Sequence, residues 1–444
     1  MFPRHVFRCV AALALTLCST LSAPGRLQAQ SSAAGSPTLR LGDVYRALDV
    51  ANPRIAAAGA LARAAQARIA PARYPPDPQL QFGLMNRSLP GFGLSDPLGM
   101  NQLQLMQGIP FPGKLGLAGR VASERADAER ARAQDVAWDT RARAAMVFYE
   151  LYQMDRSLEV ANETLRILQD LATTVSTMYG VGEGRQVDVL RAQVELARMT
   201  EDITRMQSDR VSAAARLNAL LVRDPTVPVA SPVRPSFPDT LPPLDTLIAE
   251  AGRQRPMVQA AEAEVRAAEA GERSARREIW PDFQVGVQYG QRSMEGGGTD
   301  RMVSLMLGIN LPVFAGSRQL AMRREAVAMR QMAAADLQGM RSDTRSRVAE
   351  LYARAERARR LGLLYHGTIL PQARTTVASA LAAYGVGGVD FMTLLDDQMT
   401  VNRYRQDLYA VEAQRGQALA ELEMLLGRRL FNPDDATLAS GETQ

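Results

Sequence analysis

The sequence predicts a mainly α-helical chain that contributes strands to a β-barrel, built as two repeated halves. Three observations carry this. Long proline-free stretches are rich in Ala, Arg, Glu, Gln, Leu and Met, the composition of extended helix. Four segments of about ten residues alternate polar with apolar side chains. Short motifs recur at offsets of 203, 200 and 205 residues: Asn52-Pro53 with Arg255-Pro256, Gly108-Ile109-Pro110 with Gly308-Ile309-Asn310, and Tyr179-Gly180-Val181-Gly182 with Tyr384-Gly385-Val386-Gly387.

The N-terminus comes first. Arg4 and Arg8 precede an almost wholly apolar run from Cys9 to Ala23, and Arg26-Leu27-Gln28-Ala29 ends in a small residue. This is the pattern of a secretory signal over residues 1–29, cleaved after Ala29, and the apolar run is too short for a lasting membrane helix. Lipidation of Cys18 would need small residues before it, and Leu15-Thr16-Leu17 does not supply them. Of 444 residues, 52 are Lys or Arg and 47 Asp or Glu; losing three arginines and no acid leaves a net charge of +2. Cys9, Cys18 and His5 leave as well, which excludes a disulfide framework and, with only His366 left, argues against a Cys/His metal site. Arg is interspersed with Asp and Glu, which gives nucleic acid no basic patch to bind.

The first repeat, residues 30–222, opens with a helix from Asn52-Pro53 to Tyr74-Pro75-Pro76-Asp77. Strands follow at about 79–89 and 100–110. A long helix then runs from Gly113 to about Met178, with a return helix over Arg185–Val222. Residues 223–245 hold seven prolines, from Pro225 to Pro243, and read as a semi-extended connector. The second repeat, 246–430, has a helix ending at Trp280-Pro281-Asp282 and strands at about 282–292 and 301–311. Its long helix, Ala315 to about Ala383, is interrupted only by Pro371, and its return helix spans Asp390–Gly427. Residues 431–444 form a tail.

Alternation puts Leu80, Phe82 and Leu84 on one strand face and Gln79, Gln81 and Gly83 on the other. Strands of this length suit a tilted crossing of a bilayer, and equally a pair of half-buried soluble hairpins. The helices favour the first. At ~1.5 Å per residue the long ones reach about 100 Å, with apolar residues at coiled-coil-like spacing such as Leu151, Leu158, Leu165 and Leu168. Four strands cannot close a barrel in lipid, where unpaired edge groups cost several kcal/mol each. Three copies would give twelve strands around a water-filled lumen, with the helices stacked into a tube.

The two-half plan, the Ile-x-x-Pro strand ends and the paired Tyr-x-x-Gly turns closely resemble the TolC-like outer-membrane efflux ducts, over about residues 38–430. The specific marks are Tyr179-x-x-Gly182 with Asp188 and Gln193, and Tyr384-x-x-Gly387 followed by Leu395-Asp396-Asp397-Gln398. The resemblance implies a homotrimer in the outer membrane of a Gram-negative bacterium: a twelve-stranded β-barrel continuous with a long α-helical coiled-coil tunnel across the periplasm. It implies an inner-membrane pump and a periplasmic adaptor (membrane fusion) protein as partners. The adaptor would dock at the tips formed by Tyr179, Gly180, Val181 and Gly182 and by Tyr384, Gly385, Val386 and Gly387. Gly182 and Gly387 suit turns that need positive φ.

The resemblance also implies a periplasmic gate that draws on Asp188, Thr393 and Asp396. Thr393 stands where better-known members carry aspartate, and Val389 where some carry a clasping arginine. A ring of three Asp396 side chains would attract cations, and the clasp would be built differently here. Gly108-Ile109-Pro110-Phe111-Pro112-Gly113-Lys114 leans toward the heavy-metal efflux branch of these ducts.

No catalytic constellation competes: there is no phosphate-binding loop, the carboxylates are isolated and no cofactor is called for. The leading function is a passive exit duct fed by a partner pump. The alternative is a periplasmic coiled-coil scaffold or adaptor without channel activity. The cargo, whether metal ions, drugs or proteins, is left open.

Overall fold

Proline and glycine punctuation divides the chain much as the sequence suggests. The computed structural model describes residues 38–86, 99–293 and 298–432. The signal segment with Cys18, the part of the first strand beyond Asn86, and the tail from residue 433 lie outside the described residues.

Helix α1 (Leu41–Ala51) ends at Asn52, whose side chain caps α2 (Pro53–Ala67) by accepting the Arg54 N–H at 2.9 Å. A short α3 (Ile69–Arg73) leads to β1 (Gln79–Met85) and β2 (Met100–Ile109). Then come α4 (Lys114–Gly180) and its return helix α5 (Gln186–Leu220). After the connector, α6 (Leu244–Gln254) and α7 (Pro256–Arg277) precede β3 (Asp282–Ser293) and β4 (Thr299–Asn310). A long helix follows in two parts, α8 (Gln319–Leu364) and α9 (Leu370–Tyr384), and α10 (Phe391–Leu426) closes the order. Apart from the short α3, the order helix, helix, two strands, long helix, return helix runs twice. The sequence predicts one helix before each strand pair; the structure has α1 and α6 as well.

Between α8 and α9, Tyr365–Ile369 form a π-helical turn in which the Leu370 N–H reaches back five residues to the Tyr365 carbonyl. Pro371, two positions on, has no N–H to give and would clash with the carbonyl of Gly367 in a regular helix. The wider turn lets the helix pass the proline unbroken.

The four strands form one antiparallel sheet in the order β1-β2-β3-β4. Leu80 faces Leu105, which faces Val287, which faces Leu305, and a second row joins Phe82, Leu103, Tyr289 and Val303. These rows make one apolar face, exposed to the extent of 70% at Leu305 and 78% at Leu307. From Val303 to Ile309 it spans roughly 20 Å along the strand. The opposite face carries Gln81, Gln104, Gln288 and Ser304 in register. β1 and β4 are open edges of this sheet.

The helices bury three apolar clusters. One cluster joins Tyr45 and Leu48 of α1 with Tyr149, Leu151 and Leu217; a second joins Leu168 and Val175 of α4 with Ala192, Phe391 and Leu394 near the hairpin tips; a third joins Leu247 of α6 with Leu351 and Leu422. Among the described residues, no helix is long and apolar enough to cross a membrane.

Candidate functional site: the hairpin tips and the base of the sheet

Both tips are made by the same backbone. Gly182 and Gly387 adopt φ of +84° and +74°, as the sequence leads one to expect. In the first tip the Gly182 N–H donates to the Tyr179 carbonyl at 3.1 Å and the Glu183 N–H to that of Met178 at 2.8 Å. In the second, Gly387 donates to Tyr384 at 3.1 Å and Gly388 to Ala383 at 2.9 Å. Each turn projects a valine into solvent, Val181 at 68% exposure and Val386 at 85%. Gly180 lies at the end of α4 with open space beside it, and Gly385 keeps a helical φ of −60°, so neither is needed for its backbone conformation.

The two tips of one chain lie against each other. Tyr384 of the second hairpin packs against the cluster that holds Val175 and Ala192 of the first, and burial, then the negative charge of Asp188, raise its hydroxyl above the ordinary range. Asp390 caps α10 by accepting the Thr393 N–H at 3.0 Å and its hydroxyl. Those two bonds, with a contribution from Arg185 across the gap, hold its carboxyl below the ordinary carboxylate range. Thr393 therefore serves the cap. Asp396 is exposed. The motifs made the glycines and Asp188 legible; Arg185 was missed because only the packing of the two hairpins brings it to Asp390.

At the other end of α4, the turn after β2 is locked to the turn before β3. Lys114, the chain's one lysine, is buried with Nζ 3.0 Å from Asp282, 3.3 Å from Glu278 and 3.1 Å from the Trp280 carbonyl. The Phe111 N–H donates to Asp282 at 2.8 Å and the Phe111 ring stacks on Trp280 at 5.2 Å. The lysine that marks the Pro-Gly-Lys turn is thus a clamp between the sheet and the helices. Among the described residues no group of three or more His, Cys, Asp or Glu side chains could hold a metal ion.

Alongside this geometry, with its exposed apolar sheet face and paired glycine tips, the sequence itself matches a family model. The model of outer membrane efflux proteins fits residues 44–222 and again 247–428. The chain belongs to the outer membrane efflux protein family. A curated relative, the pyoverdine export outer membrane protein OpmQ of Pseudomonas putida, is 24% identical over 475 aligned positions covering 96% of this chain and 97% of OpmQ. The fold is shared with solved structures. CusC superposes with a TM-score of 0.74 at 19% identity over 88% of this chain and 92% of CusC. VceC of Vibrio cholerae gives 0.74 at 17% identity over 88% and 97%, and the open-state MtrE channel of Neisseria gonorrhoeae 0.72 at 18% over 88% and 89%. This outer membrane efflux protein serves transport and is not an enzyme.

Proposed function

We propose that the chain is the outer-membrane exit duct of a tripartite efflux system, assembled as a homotrimer. Each half is a copy of one ancestral unit, so the sheet supplies four strands and three chains supply twelve. The observation that carries this reading is the open sheet: apolar outward, polar inward, with β1 and β4 unpaired at its edges. Such edges are tolerated in lipid only when another strand closes them. Phe111, Trp280 and Phe283 gather at its helical end, where an interfacial aromatic belt belongs. The signal at 1–29, the repeats at 30–222 and 246–430 and the connector at 223–245 fit this assembly.

The helical hairpins reach on the order of 100 Å from that belt, long enough to leave the membrane and carry the tips to a partner. Adaptor hairpins meet the tips at Tyr179–Gly182 and Tyr384–Gly387, where two exposed valines offer apolar contact. Asp188, with Tyr384 beside it, joins the hairpins at the gate. Substrate choice lies with the inner-membrane pump, because the sheet's inner face offers mostly glutamine, glycine and methionine.

The test is single-channel recording on protein purified in detergent from outer membranes, together with the mass of the detergent-solubilised species. The duct reading expects stepwise conductance and three chains per particle. A monomer that never conducts contradicts it and returns the chain to the scaffold alternative.

A further inference from the structure

The two return helices begin alike and carry opposite charges. Arg185 precedes α5 with φ −99° and ψ 141°, and Asp390 precedes α10 with φ −79° and ψ 160°. The two positions are 205 residues apart, the same offset that separates Gly182 from Gly387. At that offset Arg191 corresponds to Asp396 and Leu190 to Leu395.

The packing of these positions differs in an informative way. On α10, Leu395 is buried in the cluster that joins it to the first hairpin through Ala192 and Val175. On α5 the matching stripe, Val187, Leu190 and Val194, stands exposed. A face that is buried on one copy of the unit and bare on the other is the face that the next chain of a ring would cover, since its second hairpin repeats the contact. Resting on the trimeric reading above, the hairpins then alternate first, second, first, second around the closed end. Arg191 and Asp396 sit one residue beyond the packing leucines, at the same height on alternate hairpins. Both are exposed, and neither makes an ion pair within its own chain among the described residues.

We infer that Arg191 and Asp396 alternate around the closed end of the tunnel as six charges of zero net sum. The aperture therefore offers cations no acidic ring, and attraction between neighbouring hairpins helps hold it shut. Arg185 and Asp390, whose charges already sense each other within one chain, repeat the arrangement nearer the tip. Three copies of Asp396 alone would make a cation trap; three interleaved arginines cancel it.

The experiment is single-channel recording of the purified trimer with a trivalent cation added to the side bearing the helical end. The native duct should keep its conductance in micromolar trivalent cation and show little preference between potassium and chloride. Arg191→Asp creates six acids, and it should bring a block together with about a tenfold rise in cation preference. Combining Arg191→Asp with Asp396→Arg restores the alternation and should restore the native behaviour, which separates charge from general damage. Block of the native duct by the trivalent cation, left unchanged by Arg191→Asp, overturns the ring. A native protein that never conducts overturns the duct reading itself, and the ring with it.

Discussion

The two long hairpins share a backbone plan and differ in what is asked of it. α4 runs unbroken through 67 residues. Its counterpart reaches a tip of the same geometry through a π-helical turn, because Pro371 stands where the first hairpin, 205 residues earlier, has Arg166. The same offset pairs the clamp residue Lys114 with Gln319, Asn218 with Glu423, and Val222 with Gly427. The backbone geometry is alike where the turns require it, while the side-chain chemistry differs at the joints.

The largest expected effect comes from forcing the second hairpin's proline on the first. Arg166→Pro should cost α4 about 3 kcal/mol, since no wide turn is built there to receive it. Pro371→Ala should raise the melting temperature, as a regular helix regains a hydrogen bond. Thermal unfolding followed by circular dichroism measures both. Equal losses from both changes would mean that the π-turn is a requirement of the second hairpin and no accommodation to its proline.

Next is the end of each return helix. Asn218 is buried and neutral, and donates to the Val227 carbonyl at 2.8 Å. Glu423 at the matching place accepts the Leu430 N–H at 2.8 Å, and burial pushes its carboxyl up to about 7 from an ordinary 4.5. A carboxyl raised on folding favours the folded state only while protonated. Its stabilisation is complete below about pH 4.5 and is lost as pH rises through about 7, a change of about 3 kcal/mol. Unfolding temperatures across that range should fall for the native chain relative to Glu423→Gln. Parallel curves for the two proteins would exclude Glu423 as the titrating group.

Removing the clamp should cost somewhat less. Lys114→Met leaves Glu278 and Asp282 without their cation, at about 2 kcal/mol because both carboxylates keep contact with water. Gln319→Met at the matching position should be neutral or stabilising, since the Gln319 Oε1 is buried without a partner. Protease sensitivity at the strand–helix junction reads out the difference. The smallest effect is a gain: Val222 is held at φ +56° where the second half has Gly427 at +66°. Val222→Gly should therefore stabilise by about 1 kcal/mol in chemical denaturation.

Much of this fold was legible because proline, glycine and alternation mark it locally. The period of two found all four strands, and the tips followed from Gly182 and Gly387. The first strand is described to Met85, and Asn86 turns away with φ +53°. Helices α1 and α6 escaped notice because each is only eleven residues long and stops just before a helix-opening proline. The π-turn was invisible because Pro371 signals an interruption without saying how it is absorbed. The Lys114 clamp spans more than 160 residues of sequence and depends on the sheet pairing β2 with β3. The facing of Arg185 and Asp390 likewise exists only once two hairpins pack.

The central claim is that β1 and β4 close on neighbouring chains. Within one chain these edges lie three strand spacings apart, about 14 Å, beyond the reach of a disulfide. The sequence's two cysteines, Cys9 and Cys18, fall in the segment expected to be removed. A panel combining Gln81→Cys on β1 with Ser304→Cys, Met302→Cys or Met306→Cys on β4 can therefore be oxidised in outer membranes and run without reductant. Closure between copies predicts covalent dimers and trimers from at least one pairing, all returned to monomer by reductant. Monomer alone from every pairing would contradict it.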